Sequence, residues 1–444
     1  MNKKWPIISY GILIIILASI LVGISVNSIF QYFQKGILNS SGYTSLLLGI
    51  VVFMLINFFQ IIFNRYEEEK KANIEKIKEL QDTIEKIKNS ELINSTEPQS
   101  VFHDRIDKHI SELYIQNYKC LQNLKITTLS QINLFAGENN RGKTTLLEAI
   151  YLLTRQNDFD GLLELVRRRG KVSQEQLLPE WLLEQLPDEI KVKGIFDNQA
   201  ASILIHHYPE DDNTLDKSKY LESIEINTEF GEYQQKSLTR LFNTKQRETL
   251  AKSIKLLCPV TYSSPFFLNE PHRYIYYYHK SVQSKALPKI FEFLRKTVLP
   301  TLNDIRLTDE RQRFVVDDDN FVEGVDLSAY GEGLQRIFFT SLLFASSQNG
   351  IVLIDEFENA IHVELIEKFA PFIHDLAKLF NVQVFLTSHS KECIDAFVKH
   401  MPTTADFSYH ALVEEDNNIA VRQFDGERYQ RLIKAGNVDL RRAR

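Results

Sequence analysis

Basic charge is the first thing this chain lacks. Lys and Arg number 52 against 58 Asp and Glu, a formal net charge of -6, so no overall positive field draws in a polyanion, and phosphate-backbone binding normally needs a basic surface. Cysteine is scarce as well. Cys120, Cys258 and Cys393 stand far apart with no C-x-x-C or Cys/His spacing, which argues against a disulfide framework or a cysteine zinc site and fits a reducing compartment. There is no internal repeat and no low-complexity tract. The most informative absence is local: no Asp, Glu, Lys or Arg occurs from Trp5 through Gln34, nor from Gly36 to Asn64.

Each uncharged stretch exceeds the roughly 20 apolar residues that cross a bilayer. The first also outlasts a signal-peptide core and lacks a small-residue cleavage site. Residues 1–65 are therefore expected to form a transmembrane helical hairpin. Lys3 and Lys4 precede it, Lys35 alone sits in the connector, and Arg65, Lys70 and Lys71 follow, so both ends should face the cytoplasm. The expectation is a multi-pass protein of the cell inner membrane, with the membrane itself as one partner. Asn57 and Gln60 fall on one helical face, and Ser19 with Gly23 makes a small-xxx-small pair; both could join helices.

With 444 residues and 44% hydrophobic content, the chain can also build one large or two medium soluble domains. Residues 66–93 are rich in Glu and Lys, with Ile77, Leu80, Ile84 and Ile87 at a/d spacing, which predicts a stalk helix or short coiled coil. Residues 94–108 form a polar linker. A head is expected over 109–415, with a β-subdomain and helical insertion at 155–325, and 416–444 is a C-terminal segment. Segments 111–117, 122–128, 189–196, 201–207 and 220–228 alternate apolar and polar residues as antiparallel strands do, and 236–310 reads largely as helix.

The chemistry lies in four elements. Gly137-Glu138-Asn139-Asn140-Arg141-Gly142-Lys143-Thr144 meets G-x-x-x-x-G-K-[ST] between a short apolar strand and a helix, the context a P-loop requires. Its glycines let backbone amides wrap phosphate at a helix N-terminus, with Thr145 continuing the loop. Lys143 reaches the β- and γ-phosphates, and the Thr144 hydroxyl is placed for Mg²⁺. Far downstream, the apolar run Ile351–Ile354 delivers Asp355 and Glu356 to a strand end, where Asp355 would hold Mg²⁺ and Glu356 would polarise the attacking water. A third apolar strand ends in Thr387-Ser388-His389, and His389 could report the γ-phosphate. The fourth is Ser328-Ala329-Tyr330-Gly331-Glu332-Gly333-Leu334-Gln335-Arg336, which opens an apolar helix.

These four motifs together resemble the ABC-type ATPases of the RecF, SMC and OLD group, closest to the OLD-like, AAA-type core branch. The resemblance covers about residues 111–410 and implies an α/β ABC-type P-loop head using ATP and Mg²⁺, with Glu356, His389 and Lys143 as the catalytic set. It also implies that Gly331 and Gly333, with Ser328 or Tyr330, cap the ATP of a second copy, and that Glu358, Asn359 and His362 lie at that dimer interface. Three departures stand out: Tyr330 directly precedes Gly331, Ala360 and Val363 replace the usual Gly and Pro, and no Q-loop glutamine is assignable.

The function expected is a membrane-anchored, nucleotide-driven dimerisation switch, serving bacterial antiviral defence through a separate effector protein. Only about 55 residues follow His389, too few for an ordinary nuclease domain. The alternatives are a RecF-like DNA-repair ATPase and a transporter-related component. Nucleic-acid binding is left open: Arg167-Arg168-Arg169-Gly170-Lys171 and the Tyr274–Lys280 run are the clusters that could touch a polynucleotide. Without a supporting positive field they read as a solvated charge run and a half-buried aromatic surface.

Overall fold

Apolar runs too short for helices and too continuous for a half-exposed sheet mark the centre of the head. Ile132–Ala136, Ile351–Ile354 and Gln383–Ser388 are buried at every position, as strands covered on both faces must be. In the computed structural model they lie in a six-stranded sheet ordered Val260–Ser263, Ile351–Ile354, Gln383–Ser388, Ile132–Ala136, Phe407–Glu415 and Asn418–Asp425. The first five run parallel and the last is antiparallel. The structure describes residues 100–441 apart from 104–105, 171–177, 211–218, 245, 264–270, 309–312, 361–362, 403–405, 417, 436–438 and 440, together with Gly23, Asn27, Gln31, Gly49, Phe53, Asn57 and Gln60.

The chain divides into two units, Met1–Leu92 and Ile93–Arg444. In the first unit the seven described positions are helical, and the Asn57 side-chain amide donates to the Phe53 carbonyl at 2.9 Å, a bond one turn back along its own helix. Among the described residues no helix is long and apolar enough to cross a membrane. The two expected spans fall almost wholly outside those residues, as does the stalk at 66–93.

In the second unit the core sheet separates two apolar layers. Ile132, Leu134, Val384 and Leu386 face the helices Gly331–Ser346, Val363–Phe380 and Lys391–Lys399, whereas Phe135, Leu353 and Phe385 face the helix Lys143–Arg155. That helix is buried nearly all round, because a seven-stranded antiparallel sheet covers its far side. The second sheet runs Leu121–Ile126, Ile110–Tyr118, Glu189–Phe196, Gln199–Tyr208, Tyr220–Phe230, Tyr233–Phe242 and Arg247–Ala251.

Three features depart from the sequence reading. The span 236–310 is not largely helical: strands Tyr233–Phe242, Arg247–Ala251 and Val260–Ser263 come before the helices Pro271–Gln283 and Leu287–Thr297. Tyr233–Phe242 has the alternating burial of a strand with one wet face, and Val260–Ser263 is only four residues long, below the length at which periodicity discriminates. Leu302–Thr308, Arg313–Asp318 and Val325–Asp326 make a further three-stranded sheet ahead of the signature helix. Beyond residue 415, Asn418–Asp425 joins the core sheet and Gly426–Ala435 is helical.

One buried side chain bonds the two large sheets. Gln383 accepts from the Ile110 amide at 3.0 Å and donates to the Ile110 carbonyl at 2.7 Å and the Ser130 carbonyl at 2.9 Å. Replacing Gln383 by Leu strands a buried donor and acceptor, a loss of about 1–3 kcal/mol. The expected outcome is a lower urea midpoint, followed by circular dichroism; an unchanged midpoint would show that the bridge contributes nothing.

Candidate nucleotide site

The P-loop begins where the strand Ile132–Ala136 ends and the backbone must turn into the helix Lys143–Arg155. Gly142 makes that turn at φ 79°, in the left-handed region where a side chain is strained. A Cβ there would also stand 2.7 Å from Leu121 and 3.0 Å from the Cys120 sulfur. Gly137 is equally confined, since a Cβ would lie 2.8 Å from the Leu412 carbonyl oxygen. Asn139 and Asn140 are exposed at the tip, with Asn140 at φ 62°. Arg141 pairs with Glu414 and approaches Glu138 at 3.4 Å, which ties the loop to the strand Phe407–Glu415.

Lys143 folds back over the loop, donating to the Gly137 carbonyl at 2.9 Å and the Glu138 carbonyl at 2.8 Å. Burial lowers its pKa, opposed by the carboxylates of Glu356, Asp355 and Glu358. The three nearby carboxylates thus hold the ammonium in its charged form against the cost of burial. Thr144, at the helix start, donates to Asp355 Oδ2 at 2.9 Å across 211 residues of sequence.

Asp355 is held from every side. Its amide donates to the Ser263 carbonyl at 3.0 Å, Oδ1 accepts from the Thr387 hydroxyl at 2.5 Å, and Oδ2 also accepts from Tyr262 at 3.3 Å. Burial raises its pKa despite these donors. An oxygen-rich, desolvated carboxylate beside a hydroxyl is a donor set that suits Mg²⁺. Glu356 follows at φ 46°, an uncommon conformation for a residue with a side chain. Its amide is anchored to the Thr387 hydroxyl at 2.8 Å, which leaves the carboxylate partly exposed.

His389 comes to the same place. Its Nδ1 lies 4.0 Å from Glu356 and 3.0 Å from Glu358. Glu358 has a nearly buried side chain and accepts the His389 amide at 2.7 Å and the Ser390 amide at 3.3 Å. Arg441, which the sequence reading passed over, donates to the His389 carbonyl and is gripped by Asp439 at 2.7 Å. Asn359 lies in the turn Phe357–Ala360; its side chain and His362 lie outside the described residues.

The signature loop has other partners. Ser328 bonds Asp326 through both its amide and its hydroxyl, at 2.9 and 2.7 Å. Tyr330 donates to Asp318 at 2.8 Å, and burial together with that carboxylate pushes its pKa up to about 12. Gly331 is at φ 78° with open space where a Cβ would be, and Gly333 lies in the first turn of the helix Gly331–Ser346.

The arginine triplet is paired with acids of the head, Arg168 nearly buried and Arg169 exposed. Arg169 bonds Glu148 at 2.9 Å and Thr145 at 3.1 Å, just inside the P-loop helix. Arg167 and Arg168 both bond Glu164, each at 2.8 Å. Burial would push the Glu164 pKa up, but Arg168, Arg273 and Arg167 bring it down to about 2. In the tyrosine run, Tyr274 and Tyr277 are buried and Tyr274 stacks on Phe339 at 4.0 Å, while Tyr276 is exposed. Lys171 lies outside the described residues.

The raised pKa of Asp355 couples folding stability to pH. A carboxyl whose folded pKa lies above its unfolded value stabilises fully at low pH and loses that contribution as pH rises through the folded value. Asp355→Asn is therefore expected to raise the melting temperature of the nucleotide-free protein by a few degrees at pH 7.5, with a smaller gain at pH 5. A gain that is absent, or larger in acid, would contradict the assignment of burial as the cause.

Residues 132–395 match the family described as "AAA domain, putative AbiEii toxin, Type IV TA system". Among relatives, the ATP/GTP phosphatase of Helicobacter pylori is 23% identical over 368 residues, spanning 72% of this chain and 96% of that protein. A DNA replication and repair protein RecF of Oceanobacillus iheyensis is 48% identical over 46 residues, 10% of this chain and 12% of that protein. Among solved structures, an SMC head bound to the C-winged helix domain of ScpA aligns at a TM-score of 0.40 and 11% identity, covering 72% of this chain and 99% of that one. The family match takes in more than half of the chain, and it begins at the P-loop strand and ends past His389. The chain belongs to this AAA-domain family and is a P-loop ATPase.

Proposed function

We propose that the head binds and hydrolyses ATP and that two copies close around it. The observation that carries this reading is the meeting of Thr144 and Asp355 at 2.9 Å, with Lys143, Glu356 and His389 around them. Amides of Gly137 to Thr145 wrap the phosphates, and Lys143 exchanges two loop carbonyls for phosphate oxygens. Thr144 and Asp355 would hold Mg²⁺, which when bound neutralises phosphate charge. Glu356 orients the attacking water, and His389, fixed through its amide by Glu358, sits where loss of the γ-phosphate is felt. Ser328, Gly331, Gly333 and Asn359 would meet the nucleotide of the second copy.

Lys143→Ala is expected to abolish binding of a fluorescent ATP analogue. Glu356→Gln should keep binding while losing at least about 100-fold in turnover, the scale of a lost general base, and should accumulate as a dimer in gel filtration with ATP and Mg²⁺. Wild-type turnover in Glu356→Gln would remove that residue from the chemistry.

The finer part of the proposal concerns place and purpose. Residues 1–65 tether the head at the inner membrane, which raises the effective concentration for head pairing. The switch controls a separately encoded effector in antiviral defence. The uncharged stretches support the first step; the second rests on the resemblance to OLD-like ATPases. The gene should be expressed with its neighbours as wild type, as Lys143→Ala and without residues 1–65. The wild-type chain is expected to resist carbonate extraction from membranes and to reduce phage plaquing, with both variants losing protection. A carbonate-extractable wild type would end the tether, and equal plaquing across a broad phage panel would end the defence role.

A further inference from the structure

The arginine triplet and the strand Val260–Ser263 are not used by the nucleotide reading, and they meet at one atom of it. Tyr262 is buried, and its hydroxyl lies 3.3 Å from Asp355 Oδ2, the oxygen that also accepts from Thr144. The Arg168 guanidinium covers the Tyr262 ring 4.9 Å from its centre and donates to the Tyr262 carbonyl. Arg168 is fixed in turn by Glu164 at 2.8 Å, and Glu164 also takes Arg273 at 2.7 Å from the helix Pro271–Gln283. A continuous run of contacts therefore leads from that helix, through Glu164, Arg168 and Tyr262, to the acid of the nucleotide site.

The direction of the last bond is settled by chemistry. A carboxylate oxygen accepts and the phenol O–H is the donor available to it. With Thr387 on Oδ1 at 2.5 Å and Tyr262 on Oδ2, each carboxylate oxygen carries a fixed donor. Outer partners of this kind orient a ligand and are typically worth about 10–100-fold in metal affinity.

We propose that Tyr262 is a positioning residue for the metal-binding carboxylate of Asp355, and that Arg168 is the brace that seats it. The proposal rests on the reading of Asp355 as the Mg²⁺ ligand. It gives the arginine triplet an internal role: Arg168 serves the acid, Arg169 ties Glu148 and Thr145 of the P-loop helix, and Arg167 holds the shared Glu164.

The test is a Mg²⁺ titration of fluorescent ATP-analogue binding to the full-length protein, with a parallel measurement in EDTA. For Tyr262→Phe, which removes one oxygen, the half-saturating Mg²⁺ concentration should rise about 10–100-fold while affinity in EDTA moves less than about twofold. Arg168→Lys keeps the charge but loses the planar fork and ring contact, and should shift the Mg²⁺ midpoint the same way by a smaller factor. An unchanged midpoint in Tyr262→Phe overturns the proposal, and so does an equal loss with and without Mg²⁺, the mark of a merely structural role. Asp355→Asn separates the two levels. If it keeps wild-type Mg²⁺ dependence, the nucleotide-site reading fails; if it loses that dependence while Tyr262→Phe does not, only the positioning role fails.

Discussion

A single contact, the hydroxyl of Thr144 on the buried carboxylate of Asp355, sets the constraint that the rest of the head serves. It brings together the start of one helix and the end of a strand far away in sequence, and here the two strands leading to it flank one intervening strand. The order Ile351–Ile354, Gln383–Ser388, Ile132–Ala136 achieves this, and it places Thr387 and His389 between the two arms. A carboxylate so buried works against folding, and the surrounding hydroxyls only partly offset that cost. The binding site is thus built at some expense to the stability of the empty protein.

The parts legible in the sequence are those whose chemistry dictates residue type locally. A glycine is needed at Gly142 because the backbone is left-handed there, and the apolar runs at Ile132–Ala136 and Ile351–Ile354 follow from coverage on both faces. Five of the seven antiparallel strands announced themselves by alternation. Tyr262 did not: it sits in a four-residue strand of mixed character, and its value comes from a pairing with Arg168 that only the folded chain creates. Glu358 was legible as part of a motif but not in its orientation, since nothing local says that its side chain turns inward onto the His389 amide. Ser328 was placed by resemblance, and its bonds to Asp326 depend on a small sheet that the sequence reading missed.

The basic and aromatic clusters show how composition misleads in the opposite direction. Three consecutive arginines on a helix would ordinarily face water, yet Glu148 and Glu164 receive all three, and the helix lies against the P-loop helix and the strand Val260–Ser263. The tyrosines likewise contribute bulk to the core, with Tyr276 exposed. Much of what looked like two candidate outer surfaces is turned inward, with Arg169 and Tyr276 left exposed.

The antiparallel strand Asn418–Asp425 has a consequence at the margin of the core sheet. It pairs along eight residues with Phe407–Glu415, whose amides and carbonyls would otherwise form an open ladder, the kind of template on which chains add to one another. At the opposite margin the border strand Val260–Ser263 is only four residues long, which offers little purchase. The first margin therefore passes to Asn418–Asp425 itself, where the Thr127 and Thr128 hydroxyls, just past the strand Leu121–Ile126, both donate to Gln423 at 3.3 Å, so this rim of the core sheet is held against the second sheet.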